Sequence, residues 1–244
     1  MILKKNLIKF NYKKIIFKVL NTNFGAIDVK KLLKLKTELE LFNFYLKYKK
    51  NYRSFGDIGA NVGIHSLFAS RIFKKVYSYE PLNNHYDLLK KNIQMNRFKN
   101  IKIFKKAISI DNRDQIINIL TKNTTAAHLT IASRSKYGKI LKQTVKCDSI
   151  DKINKKVDLM KLDVEGLESK LIQKINFNKR FSDLILEVHN RKNSVDIFKT
   201  LSKYNHLAYY RLKNSKLKLI KRYSDMPAST KDGSLFITKS NFSI

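Results

Sequence analysis

Acidic and imidazole side chains follow two apolar runs in the second half of the sequence. Asp163 ends the run 157–163, and Glu187 and His189 follow the run 184–186. In an open α/β sheet, ligands gather beyond the carboxyl ends of the strands, so these side chains are expected to face one reacting group. One of them could act as a general base while a second orients it. The three groups also have the chemistry of metal ligands, but their spacing is not diagnostic, and no metal is predicted.

A glycine-rich turn follows the predicted strand 54–58. Gly59 and Gly63 leave room for a ligand against the backbone, whereas Asn61 replaces the middle glycine of a dinucleotide-binding G-x-G-x-x-G turn. Asp57 at the strand end would repel a pyrophosphate and suits a ligand that carries an ammonium group. S-adenosylmethionine has such a group and adds a sulfonium. The alternative is a glycine-rich turn that binds no ligand.

A second acid stands 23 residues beyond Asp57. Glu80 ends the predicted strand 76–80 and precedes Pro81. A carboxylate at the tip of the second strand can accept hydrogen bonds from both hydroxyls of a ribose. A surface acid or a helix cap is the alternative, but the separation from the glycine turn favours a nucleoside site.

Three other ionisable residues lie beside these segments. His65 follows the glycine turn and is expected to pack or to border the cofactor rather than to act as a base. Glu168 falls in the first turn of a predicted helix, where negative charge is favourable, so a structural role is expected. His128 is a weaker candidate for a substrate-side loop.

Short apolar runs alternate with amphipathic stretches from Tyr52 onward, a pattern typical of a parallel α/β sheet with right-handed crossovers. The predicted strands are 54–58, 76–80, 101–108, 157–163, 183–188, 208–212 and 234–238. The predicted helices are 62–73, 83–96, 167–175 and 194–204, and the runs 115–120 and 143–147 resemble hairpins. One domain, residues 51–244, is therefore expected.

Residues 1–50 are predicted to form a basic helical extension. Apolar pairs at 7–8, 15–16 and 19–20 recur at roughly helical spacing, and residues 32–46 repeat the pattern. We expect this extension to pack on the main domain. A segment lying on an anionic membrane surface and a dimerisation arm are the alternatives.

Composition sets the remaining expectations. The single cysteine, Cys147, excludes an internal disulfide, and no apolar stretch reaches the ~20 residues of a membrane-spanning helix, so a cytoplasmic protein is expected. The formal net charge of +32 would suit a polyanion partner. Lysine is accompanied by many asparagines and isoleucines, however, so a compositional bias explains the charge equally well.

The sequence resembles the FkbM family of S-adenosylmethionine-dependent methyltransferases. The resemblance is carried by DIGANVG at 57–63, YEP at 79–81, LLKKNIQMNRFKN at 88–100, KLDVEGLE at 161–168 and LILEVHN at 184–190. It implies a Rossmann-like class I methyltransferase fold, with a mostly parallel seven-stranded sheet whose last strand is reversed and with helices on both faces.

The resemblance also implies roles for individual residues. The methionine part of the cofactor would contact Asp57, Gly59, Asn61 and Gly63. Glu80 would bind the ribose, and the adenine would lie near Ala107 and Ile108. The acid that binds adenine in some methyltransferases is replaced here by Lys106 and Ala107, so backbone atoms or Asp111 would have to substitute.

The leading hypothesis is therefore methyl transfer to a hydroxyl of a sugar, glycan or small natural product by direct displacement at the sulfonium. A nucleic-acid methyltransferase is a second possibility, but the paired prolines of amino-methylating enzymes are missing after the fourth strand, where LDVEG stands. A non-catalytic polyanion-binding module on the same fold is the third.

Overall fold

The computed structural model describes residues 7–21, 28–121, 123–132, 139–239 and 242. The helices are α1 (Val29–Leu32), α2 (Lys36–Tyr48), α3 (Ile64–Ser70), α4 (Asn83–Asn96), α5 (Ile150–Ile153), α6 (Glu168–Lys174) and α7 (Arg191–Leu201). The strands are β1 (Leu7–Tyr12), β2 (Ile15–Leu20), β3 (Ser54–Ile58), β4 (Lys75–Tyr79), β5 (Ile101–Phe104), β6 (Ala107–Ser109), β7 (Gln115–Leu120), β8 (Asn123–Leu129), β9 (Ile140–Val145), β10 (Cys147–Ser149), β11 (Leu159–Leu162), β12 (Asp183–Glu187), β13 (Leu207–Lys213), β14 (Lys216–Leu219) and β15 (Ser234–Lys239).

The central sheet confirms the predicted α/β class and corrects the strand count. Its order among the described residues is β14-β13-β15-β12-β11-β3-β4-β5, which makes eight strands rather than seven. The five strands from β12 to β5 run parallel. β15 is antiparallel to both of its neighbours, β12 and β13, as expected for a reversed last strand. The additional strand, β14, forms a hairpin with β13 at the sheet edge.

Helices cover both faces of this sheet, as predicted. On one face, strand residues such as Ile58 and Leu186 pack with Leu171 of α6 and Ile197 of α7. On the other face, a second buried cluster joins strand residues to α2, α3 and α4, with members Phe55, Leu159, Leu41, Phe68 and Leu89. The helices are long enough to bury an apolar stripe but not to cross a bilayer, and no described helix meets the requirements of a membrane span.

The prediction that the N-terminal extension is entirely helical is wrong for residues 7–20. β1 and β2 pair antiparallel, and the linking residues Lys13 and Lys14 both have positive φ, 48° and 70°. Such a two-residue turn matches the twist of a hairpin. The apolar side chains alternate with period two, so that Phe17 and Val19 are buried while Lys18 between them is exposed. The helix predicted over 32–46 is present as α2, and residues 1–6 lie outside the described residues.

The predicted strand 101–108 is divided in the structure. β5 closes the central sheet, whereas β6 pairs with β10 in a separate two-stranded sheet. β7, β8 and β9 form a three-stranded antiparallel sheet in the order β8-β7-β9. The hairpin-like runs are thus strands of a small sheet that lies beside the carboxyl edge of the central one.

The turn between β3 and α3 approaches the end of β11 closely. Gly59 has φ +79°, and a Cβ atom there would collide with the backbone oxygen of Asp163. A glycine is required at this position for both reasons. Gly56, inside β3, has no positive φ, and its added Cβ would meet only the side chains of Val157 and Met160, at 3.2 and 3.3 Å.

We expect Gly59→Ala to lower the free energy of unfolding by roughly 3 kcal/mol or more, because backbone strain and a backbone collision combine. Gly56→Ala, the matched control, should cost about 1 kcal/mol, since flexible side chains can shift. Denaturant unfolding of both variants measures the difference. Equal losses would contradict the close approach of the turn to β11.

Candidate functional site

A cavity of about 480 Å³ opens at the carboxyl ends of β3, β4, β11 and β12. α1 and α2 of the N-terminal extension contribute to its wall through Leu32 and Glu38, and the small β7–β9 sheet contributes Ile117 and Thr124. The predicted site residues on the cavity wall are Gly59, Asn61, Glu80, Ala107, Ile108, Asp163 and Glu187. The remaining three, Asp57, Gly63 and His189, are not among the residues that line it.

The glycine turn is divided between the wall and the protein interior. Asp57 is fully buried, and its Oδ2 accepts a hydrogen bond from the Ser66 hydroxyl at 2.5 Å. Gly63 has φ +94° and lies against Leu89, which a Cβ atom would overlap. These two residues shape the turn, while Gly59 and Asn61 form its surface towards the cavity.

Glu80 lies on the wall with both carboxylate oxygens bound to backbone amides. Oε2 accepts from the amide of Asn61 at 2.8 Å, and Oε1 accepts from the amide of Leu82 at 2.9 Å. Burial raises the pKa of Glu80 to about 7, although the two amides oppose this shift. Each oxygen keeps a second lone pair, so the geometry remains suitable for ribose hydroxyls.

The predicted adenine side is apolar. Ala107 and Ile108 begin β6 and are 6% and 2% exposed. Lys106, which also borders the cavity, is held by Asp148 at 2.8 Å. Asp111 forms hydrogen bonds to Arg113 and is not on the wall.

His128 of β8 and His85 of α4 border the same part of the cavity. His128 Nδ1 lies 3.1 Å from the carbonyl oxygen of Ala126. His85 Nε2 lies 2.9 Å from the hydroxyl of Thr124, and burial lowers the pKa of His85 to about 4. His85 is therefore neutral at physiological pH and suits an uncharged ligand group.

Asp163 and Glu187 face the cavity beside a buried lysine. Lys161 is 3% exposed, and its Nζ lies 3.0 Å from Asp163 Oδ2. Burial raises the pKa of Asp163, but Lys161 together with His189 and His65 outweighs it, and the pKa is lowered overall. Burial and the charge of Asp163 raise the pKa of Glu187 to about 8, although Lys161 and His189 oppose this shift. One carboxylate is thus fixed as an anion, and the other titrates near neutral pH.

His189 is surrounded by three acids, Asp163, Glu165 and Glu168. Its Nδ1 lies 3.0 Å from Glu168 Oε1, and its Nε2 lies 3.2 Å from Glu165 Oε2 and 3.6 Å from Asp163 Oδ1. Burial lowers the pKa of His189, but the acids outweigh it and raise the pKa overall, most strongly Glu168. An imidazolium is favoured here. An imidazolium is a poorer proton acceptor than Glu187. It also cannot bind a metal ion without losing a proton, although ligand atoms of Asp163, Glu187 and His189 lie within 4.8 Å of one another.

Glu168 has the structural role expected for it. The residue is fully buried, and its carboxylate accepts hydrogen bonds from the amide of Gly166 at 3.1 Å and from the side chain of Asn193. It therefore fixes both the LDVEG turn and His189.

Sequence reasoning missed Lys161 and Glu38. Lys161 interrupts a fully buried strand, and a charged residue inside such a run was a usable signal. Glu38 lies on α2, where nothing in the pattern separates it from the neighbouring acid Glu40. His65, expected to border the cofactor, lies on the wall and bonds to Glu38.

The charge of the wall is opposite to that of the chain. Among the described residues, five acids line the cavity against three lysines. The acids are Glu38, Glu80, Asp163, Glu165 and Glu187; the lysines are Lys106, Lys161 and Lys231. In a protein of net charge +32, such an acidic cavity favours a cationic ligand.

Two buried oxygens at the glycine turn also indicate a ligand. Asp57 Oδ1 and Asn61 Oδ1 accept no hydrogen bond from the described residues. Buried acceptors without a donor are costly, so a donor-bearing ligand or water is expected beside them. An ammonium and two ribose hydroxyls are donors of the required kind, and the acidic wall suits a sulfonium. The residues present therefore fit S-adenosylmethionine.

The profile described as "Methyltransferase FkbM domain" matches residues 57–209, which include the glycine turn, Glu80, Asp163 and Glu187. The chain belongs to the FkbM methyltransferase family. The match begins at Asp57 and therefore leaves α1 and α2 outside it. No curated protein matches the sequence significantly.

Solved structures that resemble this FkbM-family chain are distant in sequence. An FkbM methyltransferase from Methylobacillus flagellatus KT is 14% identical, with a TM-score of 0.48. The alignment covers 76% of this chain but only 43% of that protein, so this chain spans less than half of its length. A SAM-dependent O-methyltransferase from Thermotoga maritima is 12% identical, with coverage of 97% and 78% and a TM-score of 0.47. TYW2 from M. jannaschii, solved in complex with AdoMet, is 11% identical, with coverage of 96% and 85% and a TM-score of 0.46.

Lys161→Met should destabilise the protein, and more so at pH 8 than at pH 5. The lysine opposes the effect of burial on Asp163, so without it burial raises the pKa of this carboxyl: at pH 5 the carboxyl of the variant can take up a proton, whereas at pH 8 it stays as an unpaired buried charge. Removing one partner of a buried pair costs roughly 3–5 kcal/mol where the other stays charged. Urea unfolding at both pH values measures the effect. Lys170→Met, at an exposed position on α6, is the control, and a pH-independent loss in the Lys161 variant would contradict the pairing.

Proposed function

We propose that the protein transfers the methyl group of S-adenosylmethionine to a hydroxyl of a sugar, glycan or small natural product. The observation that carries the proposal is the acidic cavity at the FkbM glycine turn, where Asp163 and Glu187 lie side by side next to Lys161. When bound, S-adenosylmethionine supplies an electrophilic methyl group and leaves as a neutral thioether.

The predicted cofactor roles follow the wall of the cavity. Asn61 and Gly59 would border the methionine part, Glu80 would accept hydrogen bonds from the ribose, and Ala107 and Ile108 would pack against adenine. Asp57 would act from beneath the wall, through the field of its buried charge rather than through direct contact. Its carboxylate already contributes to the raised pKa of Glu80, after burial.

Glu187 is the better candidate for the general base. Glu187 lines the cavity, whereas His189 is not among the lining residues. The Glu187 pKa of about 8 is near neutral pH, where a general base is most effective. Glu187 would take the proton of the acceptor hydroxyl as the oxygen attacks. Lys161 and His189 would keep Asp163 charged and fixed in place, so that Asp163 can orient the acceptor.

Cofactor affinity should rise with pH between 6 and 9. Glu80 and Glu187 have raised pKa values, about 7 and about 8, and are therefore partly protonated near neutral pH. A bound cation favours their ionised forms, so these carboxyls release protons when it binds. We expect the dissociation constant of S-adenosylmethionine to fall by about tenfold per pH unit where one proton is released. Isothermal titration calorimetry in buffers of different ionisation enthalpy counts the protons. The double variant Glu80→Gln, Glu187→Gln should show a flat profile, and a flat profile in the unmodified protein would contradict the proposed cation site.

Transfer itself is tested with methyl-labelled S-adenosylmethionine and separate pools of glycans, hydroxylated small molecules and RNA. Label should enter the hydroxyl-bearing pools. Label confined to RNA would favour the nucleic-acid alternative that the +32 charge raises, and binding without any transfer would favour a non-catalytic module.

In the pool that accepts label, Glu187→Gln should lower kcat by roughly 10²–10⁴-fold, the usual contribution of a general base. His189→Gln should lower kcat less, because the proposed role of His189 is to hold Asp163 in place. Both variants introduce glutamine, so the larger of the two losses in kcat identifies the base. A greater loss in the His189 variant would assign the base to His189.

A further inference from the structure

The N-terminal extension brings an ionisable residue to the cavity from outside the FkbM match. α2 packs on the second face of the sheet through a row of buried aromatic side chains, including Phe42 and Tyr45. This packing places Glu38, in the first turn of α2, on the cavity wall. The family match begins at Asp57, so the role of Glu38 is not implied by family membership.

A chain of buried hydrogen bonds holds Glu38 in place. Its Oε2 lies 2.5 Å from His65 Nε2, and His65 Nδ1 lies 3.1 Å from the hydroxyl of Tyr45. Tyr45 is fully buried, and the ring of Phe42 packs 5.4 Å from that of His65, so the imidazole cannot turn freely. Burial raises the pKa of Glu38, but His65 and Lys161 outweigh it, and the pKa is lowered overall.

The other acids near the turn are placed less well to contact an ammonium in the cavity. Asp57, predicted from the sequence to meet an ammonium, is fully buried and does not line the cavity; its Oδ2 accepts from Ser66, and its Oδ1 has no donor among the described residues. Glu80 accepts two backbone amides, and Asp163 holds Lys161. Glu38 is anchored through one oxygen to His65, which lies on α3 directly after the glycine turn, and it lines the cavity together with Gly59 and Asn61, the wall residues assigned to the methionine part.

We propose that Glu38 binds the ammonium group of the cofactor's methionine part, so that α2 completes the site. This assignment rests on the proposed use of S-adenosylmethionine. Its chemistry is simple: an anchored carboxylate accepts charge-assisted hydrogen bonds from a primary ammonium. The N-terminal extension is then a part of the binding site, and its removal would leave the ammonium without this partner.

The test compares two ligands that differ only in the ammonium: S-adenosylhomocysteine and its deaminated analogue. The unmodified protein should prefer S-adenosylhomocysteine by about tenfold or more in calorimetric titrations, the range for a charge-assisted hydrogen bond. Glu38→Gln should abolish this preference and leave the affinity for the deaminated analogue within about twofold. Glu40→Gln is the matched control, since Glu40 is a buried acid on the same helix that does not border the cavity, and it should keep the full preference.

Two results in the Glu38→Gln variant would overturn the assignment. Equal losses of affinity for both ligands would make Glu38 a structural residue, and an unchanged preference would show that Glu38 does not bind the ammonium. If Glu38→Gln does not fold, Glu38→Asp serves instead: its charge is withdrawn by one methylene, and the preference should shrink without vanishing. Failure of the unmodified protein to bind either ligand would overturn the proposed function itself, before any variant is compared.

Discussion

Carboxylates buried at the edge of a sheet raise the energy of the folded state unless positive charge lies close to them. In this protein five acids share one cavity, and the chain places a single buried lysine among them while carrying dozens of others on its surface. Lys161 neutralises Asp163, but Glu80 and Glu187 are left with raised pKa values. The site therefore lacks enough positive charge to keep these two carboxyls ionised. We expect a cationic nucleoside to supply this charge, so that its binding is coupled to the ionisation of the acids.

The fold fixes the positions of these charged side chains. β3 and β11 lie side by side with Asp57 and Lys161 in register, so strand pairing fixes the positions of both residues. Gly59 allows the first turn to touch the end of β11, and Glu168 fixes the LDVEG turn from the other side. Two additions to the central sheet then enclose the cavity: the small β7–β9 sheet and the helices α1 and α2. The second addition is anchored by aromatic packing, which explains how residues far from the family motifs become part of the site.

Much of this arrangement could be predicted from the sequence because the signals were local. The bounds of β3 and α4 follow from apolar periodicity and turn residues, and the prediction matched both. The N-terminal hairpin was mistaken for a helix because its turn is Lys13-Lys14 rather than a glycine-containing pair, and its apolar pairs imitate helical spacing. The division of 101–108 depends on a distant partner, β10, which periodicity cannot reveal. Among site residues, Asp163 and Glu187 stand at strand ends and were predictable. Packing decides which carboxyl faces the cavity and which is buried beneath it. The sequence therefore could not show that Glu38 lines the cavity and Asp57 does not.

The most direct measurement of the central claim is a crystal structure of the protein with S-adenosylhomocysteine. We expect the nucleoside to occupy the acidic cavity, with ribose hydroxyls within about 3 Å of the Glu80 carboxylate and the sulfur facing Asp163 and Glu187. A ligand bound elsewhere, or a bound nucleoside whose ribose makes no contact with Glu80, would contradict it.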